Sequence, residues 1–434
     1  MFSRSRIAAF LLLAAAGLTP ELRAEPVKKQ DALRIKASSG DAEAAFYLGN
    51  EYFYGENRPQ NYTLAAYWYQ KAALKGIPEA QFNYASCLET GRGIKINLAD
   101  AFAWYKKASE QNFAPASFRV ARFLATGLSG ESGSILLYPD PETALKLLEK
   151  LVRQQYAPAE IELAAMKMGK NRSAEDHRQA FSLLTQAAAR PDCPPEALRM
   201  LADCHFSGIG CKQDRKKAVE LLKSASDKGD AEASAKLGFL YEYGNTVPTD
   251  LRQANACYRK AAEAGHPMAQ YKYAEALAEG AFPGKNLNDA FPWYQKSAAA
   301  GCPQALFQLG VFYYDGTGVR QDKRRAAQFF FHAAKTGFVR AQYNLACLFE
   351  EGIVNGKPDR EAAFYWFKQA AQNGDVTAQK RVAECYLNGT GVERSLSQAE
   401  KWLLMAAQNG DMDARRLLLE IQRSGPSGPS IFNP

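Results

Sequence analysis

The sequence predicts an all-α fold: a right-handed α-solenoid of about ten two-helix repeats with terminal capping helices. Three observations predict it. A short polar residue stands four positions before an alanine ten times along the chain, in near-constant register. A bulky pair, mostly aromatic, begins three residues after most of those alanines. Glycines punctuate the ends of the segments between them.

The ten pairs are Asn61/Ala65, Asn97/Ala101, Asp140/Ala144, Asp176/Ala180, Asp214/Ala218, Asp250/Ala254, Asn286/Ala290, Asp322/Ala326, Asp359/Ala363 and Ser395/Ala399. Successive alanines lie 36 residues apart in six of the nine steps, and 43, 38 and 37 apart in the others. A short polar side chain accepts orphan N–H groups at a helix start, worth about 1 kcal/mol. An alanine one turn later lets a neighbouring helix approach closely. Recurrence at this period defines a repeat protein whose units bury their faces only against neighbours.

Each unit reads as two helices. Helix B follows the cap through Trp68-Tyr69, Trp104-Tyr105, Trp293-Tyr294, Phe329-Phe330 or Trp366-Phe367. It stops at Gly76, Gly229, Gly265, Gly301, Gly337, Gly374 or Gly410, where a left-handed residue without a Cβ costs little. Asn112 takes that place in unit 2. Helix A has the form Ala-x-x-x-Leu-Gly-x-x-Tyr-x-x-Gly, clearest at 44–55 and 305–316. Its apolar positions follow the 3.6-residue period. Gly91/Gly93, Gly208/Gly210, Gly316/Gly318 and Gly389/Gly391 turn the chain toward the next cap. These pairs follow helices, not strands, and lack the rest of either phosphate-loop fingerprint.

The best-formed stretches are Gly316-Thr317-Gly318-Val319, Gly389-Thr390-Gly391-Val392 and Trp68-Tyr69-Gln70-Lys71-Ala72-Ala73. Together with the Leu-Gly step and the Asp-x-x-x-Ala cap, they resemble the Sel1-like repeat, a relative of the tetratricopeptide repeat. The resemblance covers about residues 40 to 410. It implies an adaptor or scaffold with a protein partner, on a face lined by helix A.

The expected organisation is a signal peptide at 1–24, an N-terminal capping segment at 25–40 and repeats at 41–410. A capping helix at 411–424 and a disordered Gly/Pro/Ser-rich tail at 425–434 complete it. Arg4 and Arg6, the apolar run from Ile7 to Leu18 and small Ala24 describe an exported, periplasmic or secreted chain. An uncleaved N-terminal anchor is the alternative. Units 3 and 4, spanning 113–191, are degenerate. Unit 3 carries seven extra residues within Leu128–Pro139, and Leu147-Leu148 and Leu183-Leu184 replace the aromatic pair. Pro292 falls six residues into helix B of unit 7, so that helix should start late or kink.

A formal net charge of +8 spread over 434 residues lacks the concentrated basic face of a nucleic-acid binder. His177, His205, His266 and His332 are scattered over different units. With no nucleophile–base pair, carboxylate pair or metal-ligand set visible, the sequence reads as non-catalytic, without cofactor or metal. Eight cysteines in an exported chain raise the question of disulfides. Cys204 and Cys211, around one glycine turn, are the candidate bridge. Cys87, Cys204 and Cys385 share the core position of Phe312, where thiols are commonly inert.

The candidate partner surface is a column three residues after the helix A alanine: Tyr47, Asn83, Arg119, Glu162, Met200, Lys236, Lys272, Gln308, Asn344 and Arg381. On the concave face, Asn and Gln could hydrogen-bond a peptide backbone, and Lys and Arg could pair with acidic groups. Ordinary solvated helix residues are the competing reading. Exposed Phe331 and Tyr365 could anchor a partner or pack against the adjacent unit. The resulting expectation is an exported protein- or peptide-binding scaffold, with cell-wall glycan as the alternative ligand and no transmembrane segment in the mature chain.

Overall fold

The computed structural model describes residues 26–130, 134–244, 246–282, 284 and 286–424. The expected signal peptide and C-terminal tail lie outside these residues. Among them are 22 helices. Helix α1 (Pro26–Ser38) precedes ten pairs, each with helix A first and helix B second. The first compact unit of the chain holds α2 (Ala42–Tyr54) with α3 (Tyr62–Leu74) and α4 (Pro78–Thr90) with α5 (Leu98–Glu110). It also holds α6 (Ala114–Thr126) with α7 (Pro141–Arg153) and α8 (Ala157–Lys167) with α9 (Ala174–Ala188).

The second compact unit holds α10 (Pro195–Ser207) with α11 (Arg215–Asp227), α12 (Ala231–Tyr243) with α13 (Leu251–Glu263), and α14 (Pro267–Ala278) with α15 (Leu287–Ala299). Then come α16 (Pro303–Asp315) with α17 (Lys323–Lys335), α18 (Val339–Glu350) with α19 (Arg360–Gln372), and α20 (Val376–Asn388) with α21 (Leu396–Gln408). Helix α22 (Met412–Ser424) packs on α21. Within each compact unit the strong packing contacts join helices consecutive in the chain. That is the one-dimensional contact pattern of a solenoid of helical repeats.

All ten helix B alanines are buried, none more than 4% exposed. The second residue of the bulky pair, such as Tyr69, Tyr105, Phe330 or Phe367, fills the space between the two helices of its unit. The Leu-Gly glycine makes that space. A Cβ on Gly49, Gly238 or Gly310 would lie about 2.5–2.6 Å from the ring of Tyr69, Tyr258 or Phe330.

A backbone clasp recurs where helix B begins. The cap residue's N–H donates to a carbonyl in the last turn of helix A: Asn61 to Tyr52, Asn97 to Leu88, Asp140 to Leu124 and Asp214 to His205. Asp250 to Tyr241, Asp322 to Tyr313, Asp359 to Phe349 and Ser395 to Tyr386 repeat it. The clasp holds in unit 3 despite its seven extra residues, which form a short antiparallel ladder of β1 (Leu128–Ser129) and β2 (Ile135–Leu137).

Among the described residues, units 4 and 7 lack the clasp. In unit 4 the helix B cap is Ser173, not Asp176. Asp176 sits at the third helical position and completes a capping box, so the helix begins a turn early and runs 15 residues. The reason is local: Ser173 and Asp176 satisfy each other's backbone N–H groups. In unit 7 helix B contains Pro292 yet keeps the usual 13 residues, so it does not start late. The irregularity lies in its cap. Asn286 has ψ −170, accepts from Asn288 and forms a capping box with the third helical residue Asp289. In unit 8, Asp322 has ψ 90 and accepts from the third helical residue Arg325.

Candidate functional site

Helix A presents its sixth residue at the same place in every unit. The structure puts these ten side chains in very different circumstances. Tyr47 is exposed, whereas Met200 is buried. Glu162 lies 3.8 Å from Arg122 of the preceding helix A. Asn83 reaches back to Asn50 at 3.5 Å.

The cations reach one repeat backward as well. Arg119 pairs with Glu89 and lies over the rings of Tyr105 and Phe123. Lys236 pairs with Asp203 at 2.8 Å, and Lys272 with Glu242 at 3.0 Å and Glu275 at 3.3 Å. Arg381 makes contacts of 2.6 and 2.7 Å to Glu350 and 2.9 Å to Glu384. Burial alone would lower the Lys272 ammonium's pKa, but Glu242 and Glu275 outweigh it and raise the value above that of an ordinary lysine. Arg381 is raised by the same balance, with Glu350 and Glu384 as its acids. The basic members of the column therefore already hold carboxylates of their own chain.

Gln308 and Asn344, in units 8 and 9, differ. Both are half-buried, and neither amide has a hydrogen-bond partner among the described residues. One turn further along the same helices stand Val311, which is half-buried, and Cys347, where burial pushes the thiol pKa up. This second column, at the ninth helix A residue, supplies Asp203 and Glu275 to the ion pairs. It was missed by inspection of single positions. Its signal was an acid three residues from a column whose neighbours are basic.

In unit 6 the ninth residue is Phe239, its ring tilted against Tyr243 at 4.5 Å, and both rings are about half exposed. Phe331 packs edge-on against Trp366 of the next unit at 6.1 Å, as adjacent-unit packing requires. Tyr365 rests on Trp366 of its own helix while 53% exposed.

Among the described residues the structure shows no Cys204–Cys211 bridge. Cys204 is fully buried in helix A, at the core position it shares with Cys87, Cys385 and Phe312, whereas Cys211 lies partly exposed in the turn. Burial raises the Cys87 and Cys385 thiols to about 12 and about 11, which keeps them protonated and unreactive near neutral pH.

The Sel1 repeat family model matches ten consecutive segments: 42–77, 78–113, 114–156, 157–192, 195–230, 231–266, 267–302, 303–337, 339–375 and 376–411. The chain belongs to the Sel1 repeat family. Its structure is similar to that of a protective antigen of uropathogenic Escherichia coli strains with an SLR fold. That likeness has a TM-score of 0.55 at 28% identity and covers 93% of this chain and 84% of the antigen. An uncharacterized Neisseria meningitidis protein is 26% identical over 239 residues, 55% of this chain and 40% of its own length. The rat DAP3-binding cell death enhancer 1 is 36% identical over 214 residues, 48% of this chain and 32% of its own. This chain thus spans less than half the length of these two curated relatives. Sel1 repeat proteins are generally non-catalytic scaffolds that bind proteins, and a glycan partner gains no support from the family. No helix among the described residues is long and apolar enough to cross a membrane.

Proposed function

We propose that this Sel1 repeat chain is an exported, non-catalytic adaptor that binds an extended segment of a partner protein along helix A of units 8 and 9. The observation that carries the reading is the pair Gln308 and Asn344. They are amides one repeat apart, in a column whose charged members are neutralised internally. An amide side chain offers both donor and acceptor to a peptide backbone and does not demand a charge. The relative named for binding DAP3 supports a protein as the ligand class. The basic start and apolar run of residues 4–18 support export, with a role in envelope assembly or signalling.

A photoreactive phenylalanine analogue at Asn344, activated in intact cells, tests the site. One dominant protein adduct, lost when Gln308→Ala is added, is the expected result. Adducts that persist with Gln308→Ala, or no protein adduct, would remove this face from consideration. N-terminal sequencing of the chain recovered from the cell envelope tests export, with a start at Glu25 expected.

A further inference from the structure

We propose that the outer face of helix B in units 1–3, together with α1, docks on an anionic lipid surface. Lys71 and Lys75 at the end of α3, Lys106 and Lys107 on α5, and Lys146 and Lys150 on α7 are all exposed. Arg34 and Lys36 on α1 extend the series, and they too are exposed. Among the described residues, none of the eight takes part in an ion pair. Lys150 donates at 2.9 Å to Asn112, which ties helix B of unit 3 to the end of unit 2 without neutralising the charge. The Lys107 ammonium is held 4.0 Å from the ring of its own Trp104.

Of the acids on these helices, Glu142 and Glu149 pair with Arg172 and Lys167, whereas exposed Asp100, bonded to the neutral cap Asn97, and exposed Glu110 keep their charge among the lysines. Further along the chain some helix B cations are neutralised, although Arg215, Lys216, Lys223, Lys228 and Lys296 are exposed and outside the ion pairs among the described residues. Lys217 pairs with Glu220, Arg259 with Glu263 and Lys260 with Asp227. What distinguishes the first units is that two exposed lysines outside ion pairs recur at helix B in each of three consecutive units, beside the exposed apolar side chains of α1 and α3.

Two features select a lipid surface over an acidic protein. The cations are mainly lysines, which act as point charges without the planar fork that fits a carboxylate, and lysine is depleted at protein interfaces while arginine is enriched. Between them stand strongly exposed apolar side chains: Ile35 at 67%, Leu74 at 66% and Tyr67 at 47%. Lysines alternating with isolated aliphatic and aromatic tips suit a headgroup region, where charge and shallow insertion act together.

The test is co-sedimentation of the full chain with vesicles of phosphatidylcholine alone or with 30% phosphatidylglycerol. Binding at least tenfold tighter to the anionic vesicles, falling as NaCl rises, is expected. The triple variant K71E/K107E/K150E should lose at least tenfold. The variant K216E/K228E/K401E makes the same change of net charge at exposed lysines elsewhere and should bind as the parent does. Equal binding to both vesicle types, or equal losses in the two triple variants, would overturn the proposal. So would saturation of the stripe by a polyglutamate peptide when no vesicle binding occurs. None of these outcomes bears on the helix A crosslink, so the two readings fail separately.

Discussion

At the scale of single residues, the glycines divide by what surrounds them. Gly76 has φ +96, and a Cβ placed on it would point into open space, whereas Gly93 has φ +75 and a Cβ there would meet the Tyr62 carbonyl oxygen at 2.0 Å. Gly391 stands in the same relation to Arg360. The second glycine of the turn thus lets it lie directly against the start of the preceding unit's helix B. Gly76→Ala should cost only the left-handed backbone penalty, about 1–2 kcal/mol. Gly93→Ala should cost more, because the backbone must also move. Urea unfolding midpoints of the two variants would show it, and equal losses would contradict the close-approach account.

A second residue-scale feature is a buried amide. Gln81, Gln270, Gln342 and Gln379 each donate to a helix B carbonyl of the preceding unit at 3.2–3.3 Å. The side-chain oxygens of Gln81, Gln342 and Gln379 accept in turn from Gln111, Asn373 and Asn409. The equivalent of those donors in unit 7 is Ala300, and the Gln270 oxygen is buried without a partner. An unsatisfied buried acceptor costs on the order of 1–3 kcal/mol. Ala300→Asn should therefore stabilise the protein by about 1 kcal/mol, seen as a higher thermal midpoint. No gain, or a gain that survives replacing Gln270 by Leu, would refute the pairing.

At the scale of the element, Pro292 removes an N–H that would donate to the Asn288 carbonyl in the middle of α15. The helix persists because its apolar face is buried through Ala290, Tyr294 and Ala298. Pro292→Ala should raise stability by about 1–3 kcal/mol, measured by denaturant unfolding, and slow amide exchange in α15. The ion-pair ladder makes a pH prediction. The Lys272 pKa is raised in the folded state, so its contribution is complete below the ordinary lysine value of 10.5 and is lost as pH rises through the raised value. Lys272→Met should accordingly flatten the alkaline limb of the stability profile, while leaving the acid limb to the carboxylates.

At the scale of the whole molecule, nearest-neighbour packing predicts unfolding that is not all-or-none. Helices bury their faces against sequence neighbours, and the chain divides into two compact units. The calorimetric enthalpy should therefore exceed the van't Hoff enthalpy for the full chain. Equality of the two would mean that coupling spreads across all the repeats.

The repeat, its caps and its glycine stops were legible in the sequence because they depend on atoms within one helical turn. A cap residue bonds an N–H three residues on, and a left-handed stop concerns a single φ. The buried alanines were legible for a related reason, since their spacing follows the helix itself. What the tertiary structure alone decided is the state of each helix A side chain. Lys236, Lys272 and Arg381 meet acids 33, 30 and 31 residues earlier, at positions set by how neighbouring units stack. No within-helix rule carries that distance. Cys204 and Cys211 are likewise close in sequence, yet one side chain turns into the core and the other stays in the turn. Local chemistry was enough to specify the units, but only their stacking could determine which charges are already answered and which face outward.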